Sequence, residues 1–233
     1  MFENRATRKK FTRRGRTAAA AAACVAAALI TVGVGVQSAA AGTAAHPLGH
    51  PAGTRTPALA VPDLGSAALV QSEDFFQQNL SPVGATVDLA GSQGLSACTG
   101  EETMNVLTKG KAAAYADVTW TFDTSDSQLT ESAADVSSDT SAASYEKQLN
   151  KLVRDCQDEP AGHWYYGAGH ALTVPAGEGR WYPSFNGDGA VSGGVAVIRS
   201  GQRVGIVELV GQPSDDPGYV KGIAAAALGR LAG

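Results

Sequence analysis

The chain has 233 residues, 44% of them hydrophobic, with 18 Lys and Arg against 22 Asp and Glu and a net charge of −4. Seven of the bases fall within the first 16 residues; setting those and Glu3 aside leaves 11 bases against 21 acids, a net of −10. A nucleic-acid binder needs a basic face to displace counterions from phosphates, and no stretch after residue 60 supplies one. The acidic balance favours solubility.

Arg5, Arg8, Lys9, Lys10, Arg13, Arg14 and Arg16 precede an uncharged run from Thr17 to Val36, which Ala39-Ala40-Ala41 closes with small residues. Basic, apolar and small is the order of a secretory signal. Residues 1–41 are expected to be a signal peptide cut between Ala41 and Gly42. An uncleaved anchor is the alternative, since twenty uncharged residues at about 1.5 Å each span roughly 30 Å. The run is mostly weakly apolar alanine, however. Either way the basic flank stays inside and the remainder faces outside, so a secreted or envelope-facing location follows. Gly15-Arg16 after Arg13-Arg14 does not suit a twin-arginine signal, and Ala21 stands where a lipid-attachment motif around Cys24 wants leucine. Residues 42–62, rich in Gly, Pro, Ala and Thr and aperiodic, are expected to be a disordered linker with solvated His46 and His50. Residues 63–233 suit one domain with one core.

Export leaves two cysteines, Cys98 and Cys156. An even pair in an oxidising compartment is expected to form a disulfide. No further thiolate or imidazole stands at metal-ligand spacing, so neither metal nor cofactor is expected.

In chain order, Ser66 to Phe76 suggests a short helix sending Phe75 and Phe76 into the core, and Val83 to Leu89 an edge strand. Thr99-Gly100-Glu101-Glu102 has the spacing of a capping box, with a helix following to Gly110. Tyr115 to Phe122 alternates, Ala116, Val118, Trp120 and Phe122 on one face, as a half-buried strand does. Leu129 to Val136 is its hairpin partner across Asp123–Gln128. Asp139 or Thr140 caps a helix whose apolar face is Ala142, Tyr145, Leu149, Leu152, Val153 and Cys156, ended by Asp158-Glu159-Pro160. Gly162 to Val174 predicts a strand, in which His163 and His170 face opposite ways unless a bulge at Gly167-Ala168-Gly169 changes the parity. Val195 to Arg199 and Val204 to Val210 predict a hairpin around Ser200-Gly201-Gln202, apolar on both faces. Asp216 and Pro217 open a last helix with the stripe Val220, Ile223, Ala224, Ala227, Leu228 and Leu231. Strands following strands without strand–helix alternation predict an α+β fold: an antiparallel sheet with helices packed on one face.

The closing stretch "GGVAVIRSGQRVGIVELVGQPSDDPGYVKGIAAAALGRL" (193–231) resembles the last strand–hairpin–strand–helix of the PknH-like extracellular sensor domains. Those occur on actinobacterial Ser/Thr kinases and as stand-alone exported proteins. Cys98 before a short helix, the strand with Trp120 and a helix ending in Cys156 extend the likeness over residues 64–231. The resemblance implies an antiparallel sheet with helices on one side and a cleft for an unidentified ligand. It carries over no catalytic residue. The chain departs from the kinase form in having no kinase domain and in keeping two exported cysteines where the kinase sensor has two disulfides.

No Gly-x-Ser-x-Gly elbow is present. "GDGAVSGG" (187–194) lacks the lysine and following helix of a phosphate loop. His163 and His170 lack metal spacing, and an irregular hydrolase site around them is the least favoured reading. The large aromatics Trp120, Trp164, Tyr166, Trp181 and Tyr182, with His170 and Arg180, are the candidate ligand-binding cleft on the sheet's open face; core packing is the competing role. Arg180 and Arg199 either orient an anionic group or pair with carboxylates. The resulting expectation is a non-catalytic exported sensor-like domain binding a small molecule or envelope component, with a membrane signalling protein as a possible partner. A protein-interaction or structural module is the alternative.

Overall fold

Two neighbouring strands that are apolar on both faces cannot leave either face to water, and the architecture follows from that need. The computed structural model describes residues 64–123 and 126–233. The expected leader, the Ala41–Gly42 cleavage, the 42–62 linker, and Thr124 and Ser125 of the predicted turn lie outside them.

The described chain forms an α+β fold with strands β1 (Pro82–Asp88), β2 (Ala114–Phe122), β3 (Gln128–Asp135), β4 (Tyr165–Tyr166), β5 (His170–Val174), β6 (Gly177–Phe185), β7 (Val191–Ser200) and β8 (Arg203–Val210). Its helices are α1 (Ser72–Phe76), α2 (Met104–Thr108), α3 (Asp139–Arg154) and α4 (Gly218–Ala232). All pairings are antiparallel, in the order β1-β2-β3-β8-β7-β6-β4, with β5 also on β6. The β7–β8 hairpin turns through Gly201 in the left-handed region, where glycine carries no Cβ penalty.

The predicted antiparallel α+β sheet is present, but its helices occupy both faces rather than one. The alternation of β7 shows why. Ala196 and Ile198 pack under α4, with its stripe Val220, Ile223, Ala224, Ala227, Leu228 and Leu231, all buried. Val195 and Val197 face the other way, against Leu149 and Val153 of α3. Helix α4 packs on β5 through β8, whereas α3 packs on β7 and β8.

Other differences are local. Phe75 is buried beside Trp120 and Phe122, but Phe76, one residue on in the helix, is 60% exposed. Thr103, not Thr99, caps α2 by accepting from Val106 N. The Thr99 hydroxyl is instead engaged with Ser96, donating to its carbonyl and accepting from its N–H. Ser138 caps α3, and the two expected caps, Asp139 and Thr140, are its first two helical residues. The segment 162–174 breaks into β4 and β5 instead of bulging. Strand β6 has no clear apolar alternation, because Gly177 and Gly179 leave no side chain where β7 comes close. A Cβ on either would stand 2.3 Å from a carbonyl oxygen of Arg199 or Val197.

Cys98, in the loop before α2, is bridged to Cys156, just past α3, with Cα atoms 6.1 Å apart. Three buried carboxylates hold irregular segments onto the sheet. Glu131 of β3 accepts from Val70 N at 2.7 Å, and Glu208 of β8 from Ala97 N at 2.7 Å. Asp117 of β2 accepts more loosely from Gln93 N at 3.5 Å. Burial pushes all three carboxyls up, that of Glu131 from 4.5 to about 8.

A carboxyl whose pKa rises on folding binds more protons in the native state. Its stabilisation is therefore complete below pH 4.5 and is lost as pH climbs towards about 8. Urea midpoints of the wild type should fall between pH 5 and pH 8. The fall should be smaller in Glu131→Gln, by a few kcal/mol at most, since one pKa unit is worth about 1.4 kcal/mol. An identical pH dependence in both proteins refutes the assignment. The bridge spans a sequence separation of 58. Cys98→Ser/Cys156→Ser should lower unfolding free energy by roughly 2–4 kcal/mol, and unchanged denaturation midpoints with and without reductant would contradict that.

Candidate functional site

Because α3 packs chiefly on β7 and β8 and meets β6 through the Asn150–Tyr182 bond, much of the face of β5 and β6 on its side lies beyond its cover. The step between helix and strands is a groove of about 520 Å³. The side of α3 that faces it carries Glu146, Lys147, Asn150 and Arg154, recurring at helical spacing, with Gln157 just past the helix end. Its strand side carries Gly169, Ala171 and Thr173, then Glu178, Arg180 and Tyr182, alternate residues that share one sheet face.

Tyr182 is the fixed point. It is buried, and its hydroxyl donates to Asn150 Oδ1 at 2.8 Å, tying β6 to α3. Burial raises its pKa while the nearby Arg180 and Arg154 guanidiniums pull it back down, so the hydroxyl stays neutral. Arg180 Nη1 donates to Gly169 O at 3.3 Å. Gly169 permits this arrangement: a Cβ there would stand 2.5 Å from Tyr182 Cε1 and 2.8 Å from Arg180 Cδ.

The two carboxylates of the groove are already engaged. Arg199 Nε meets Glu146 Oε2 at 2.8 Å, and its Nη2 binds Glu178. Of the two arginines read as anion-orienting or carboxylate-pairing, Arg199 takes the second role. Lys147, Arg154 and Arg180 form no ion pair among the described residues.

The seven candidate residues do not share one cleft. Trp120, His170 and Trp181 are on the α4 side. Trp120 packs against Phe75 and donates Nε1–H to Val70 O at 3.2 Å; His170 stacks on the buried Trp181 at 4.6 Å. Trp164, Tyr166, Arg180 and Tyr182 are on the α3 side. Tyr166 is buried, with Trp164 edge-on at 4.7 Å and its hydroxyl donating to Glu208. Only Arg180 and Tyr182 line the groove. Lys147, Asn150 and Arg154 went unrecognised because a polar helix stripe in a sequence resembles any solvated face. His163 sits in the loop before β4, 3.8 Å from Glu159, and does not share a strand with His170. Among the described residues no group of three or more His, Cys, Asp and Glu is placed to hold a metal ion.

Fold and site together define an α+β domain with a ligand-sized groove between a helix and the edge of its sheet. No family model and no curated protein matches the chain. Among solved structures, the extracellular domain of PknH from Mycobacterium tuberculosis is similar, with 12% identity and a TM-score of 0.48, covering 71% of this chain and 93% of that one. The likeness is distant and structural. No helix among the described residues is long and apolar enough to cross a membrane.

Gly169→Ala should displace the Tyr182 ring and break its bond to Asn150, costing about 1–3 kcal/mol as overpacking does. Gly84→Ala, whose Cβ would find only Thr121 Oγ1 at 3.5 Å, is the control. Unmoved side-chain signals of Tyr182 and Asn150 in Gly169→Ala would show that the close approach does not fix the site.

Proposed function

We propose that this chain is an exported, non-catalytic, sensor-like domain that binds a small molecule in the groove between α3 and the β5–β6 strip. The observation that carries the reading is that strip: floored by the sheet, walled by a helix and left open by the reach of α3. Its volume of about 520 Å³ falls in the range of small-molecule sites. The mutual bond of Tyr182 and Asn150 fixes its floor, and Lys147, Arg154 and Arg180 line it as the polar groups that could orient a ligand. Export is supported by the basic, apolar and small-residue order of the first 41 residues. The sequence resemblance to PknH-like sensor domains points to the same role.

Trp181, Trp120 and Tyr166 serve the core in this reading, as their packing partners indicate. Ala171, exposed on the groove side of β5, is where a bulky side chain fills the groove without entering the core. Native mass spectrometry of the protein recovered from its own culture should show a chain beginning at Gly42. After incubation with an envelope extract, the wild type should retain a bound mass that Ala171→Trp loses. Retention of that mass by Ala171→Trp would place binding elsewhere, and specific capture of a protein instead would favour an interaction module.

A further inference from the structure

The groove is a local reversal of the domain's charge. Residues 64–233 contain 10 Lys and Arg against 20 Asp and Glu. Yet Lys147, Arg154 and Arg180 converge on one groove, and its two carboxylates are both tied to Arg199. Three cations and two anions line it, and Arg199, outside the lining, binds both anions. The two guanidiniums lie on opposite walls, one on α3 and one on β6, with the Tyr182 hydroxyl beside both. Arg180 also donates to Gly169 O at 3.3 Å, on the rim of the groove.

Resting on the groove as the binding site, we propose that its ligand is a small soluble oxyanion, a carboxylate or a phosphate monoester, gripped between Arg154 and Arg180 with Lys147 adding charge. Guanidinium forks match planar or tetrahedral oxyanions with paired, charge-assisted hydrogen bonds. Asn150 Nδ2 donates to Glu146 O at 3.0 Å and its Oδ1 receives Tyr182, so the floor is fixed by internal bonds, and the exposed guanidiniums keep N–H groups for a ligand. The net negative charge of the remaining surface opposes docking on an anionic bilayer, whereas a compact anion is drawn to the local positive field. An anionic headgroup presents the same chemistry from a different source, and that source is an arm of the test.

The probes are glycerol 3-phosphate and citrate, with neutral glycerol as the control and phosphatidylglycerol vesicles as the surface arm. Amide NMR of the secreted protein should show saturable shifts from the two anions at Gly169, Ala171, Gly179 and Arg180, and none from glycerol. Arg154→Ala/Arg180→Ala should weaken binding at least about tenfold. The corresponding double Lys variant should keep part of the affinity, and added salt should lower it in the wild type. Unaltered amide dispersion in both variants separates loss of charge from loss of fold. Equal affinity in the double Ala variant, absence of groove shifts with both anions, or binding to vesicles alone overturns the proposal. The groove reading fails separately: an anion bound by Ala171→Trp as well as by the wild type removes the groove. A neutral extract ligand lost in Ala171→Trp but kept in Arg154→Ala/Arg180→Ala keeps the groove and removes the anion.

Discussion

The double burial of the β7–β8 hairpin is the constraint from which the rest of the structure follows. Val195, Val197, Val204 and Ile206 point to one side, and Ala196, Ile198, Val207 and Leu209 to the other. At about 25 cal/mol per Å² of apolar surface, neither side can be left to water. The two helices that meet this demand are unequal. The alanines of α4 let it lie low across four strands, while α3, fixed at its end by the Cys98–Cys156 bridge, packs chiefly on two. The groove is the difference between those footprints.

Arg199 links that packing to the chemistry of the groove. Its guanidinium joins Glu146 of α3 to Glu178 of β6, so one residue of β7 sets the spacing of the two walls. Arg199 and Glu146 are partly buried, which gives that pair more weight than the exposed bridge to Glu178, although two mutually bonded charges remain costly to desolvate. The same contacts neutralise the acids that would otherwise quench Arg154 and Arg180. Structural and electrostatic roles thus meet in one residue.

Much of the sheet is legible in the sequence because its signals are local. Alternation marks β2, and paired apolar runs around Ser200-Gly201-Gln202 mark β7 and β8. Asp216-Pro217 and a six-residue stripe mark α4; Asp216 Oδ1 accepts Gly218 N at 2.8 Å. The double cover was implicit in two strands apolar on both faces, yet that pattern alone does not say which helix goes where. Strand β6 was hidden by Gly177, Gly179 and Pro183, residues that usually interrupt strands and here serve close approach. The candidate site was only partly legible. Aromatic clustering in sequence drew together Trp120, Trp164 and Trp181, which alternation and strand order place on two faces. Arg180 and Tyr182 line the groove, and their neighbours on α3 come together with them only through tertiary packing.

The buried acids complete this picture. Glu131, Glu208 and Asp117 lie on the strands that carry the sheet's middle and one flank, and each receives a backbone N–H from a segment without regular structure. Such segments carry peptide groups that no ladder satisfies, and leaving them unpaired in the interior costs more than bringing in a carboxyl. A protonated carboxyl still accepts through its carbonyl oxygen, so these contacts survive acid. For Glu131 and Asp117 protonation also supplies a donor at Oε1 or Oδ1, the atoms that have no partner otherwise. A domain held in this way keeps its loops attached as the surrounding pH falls.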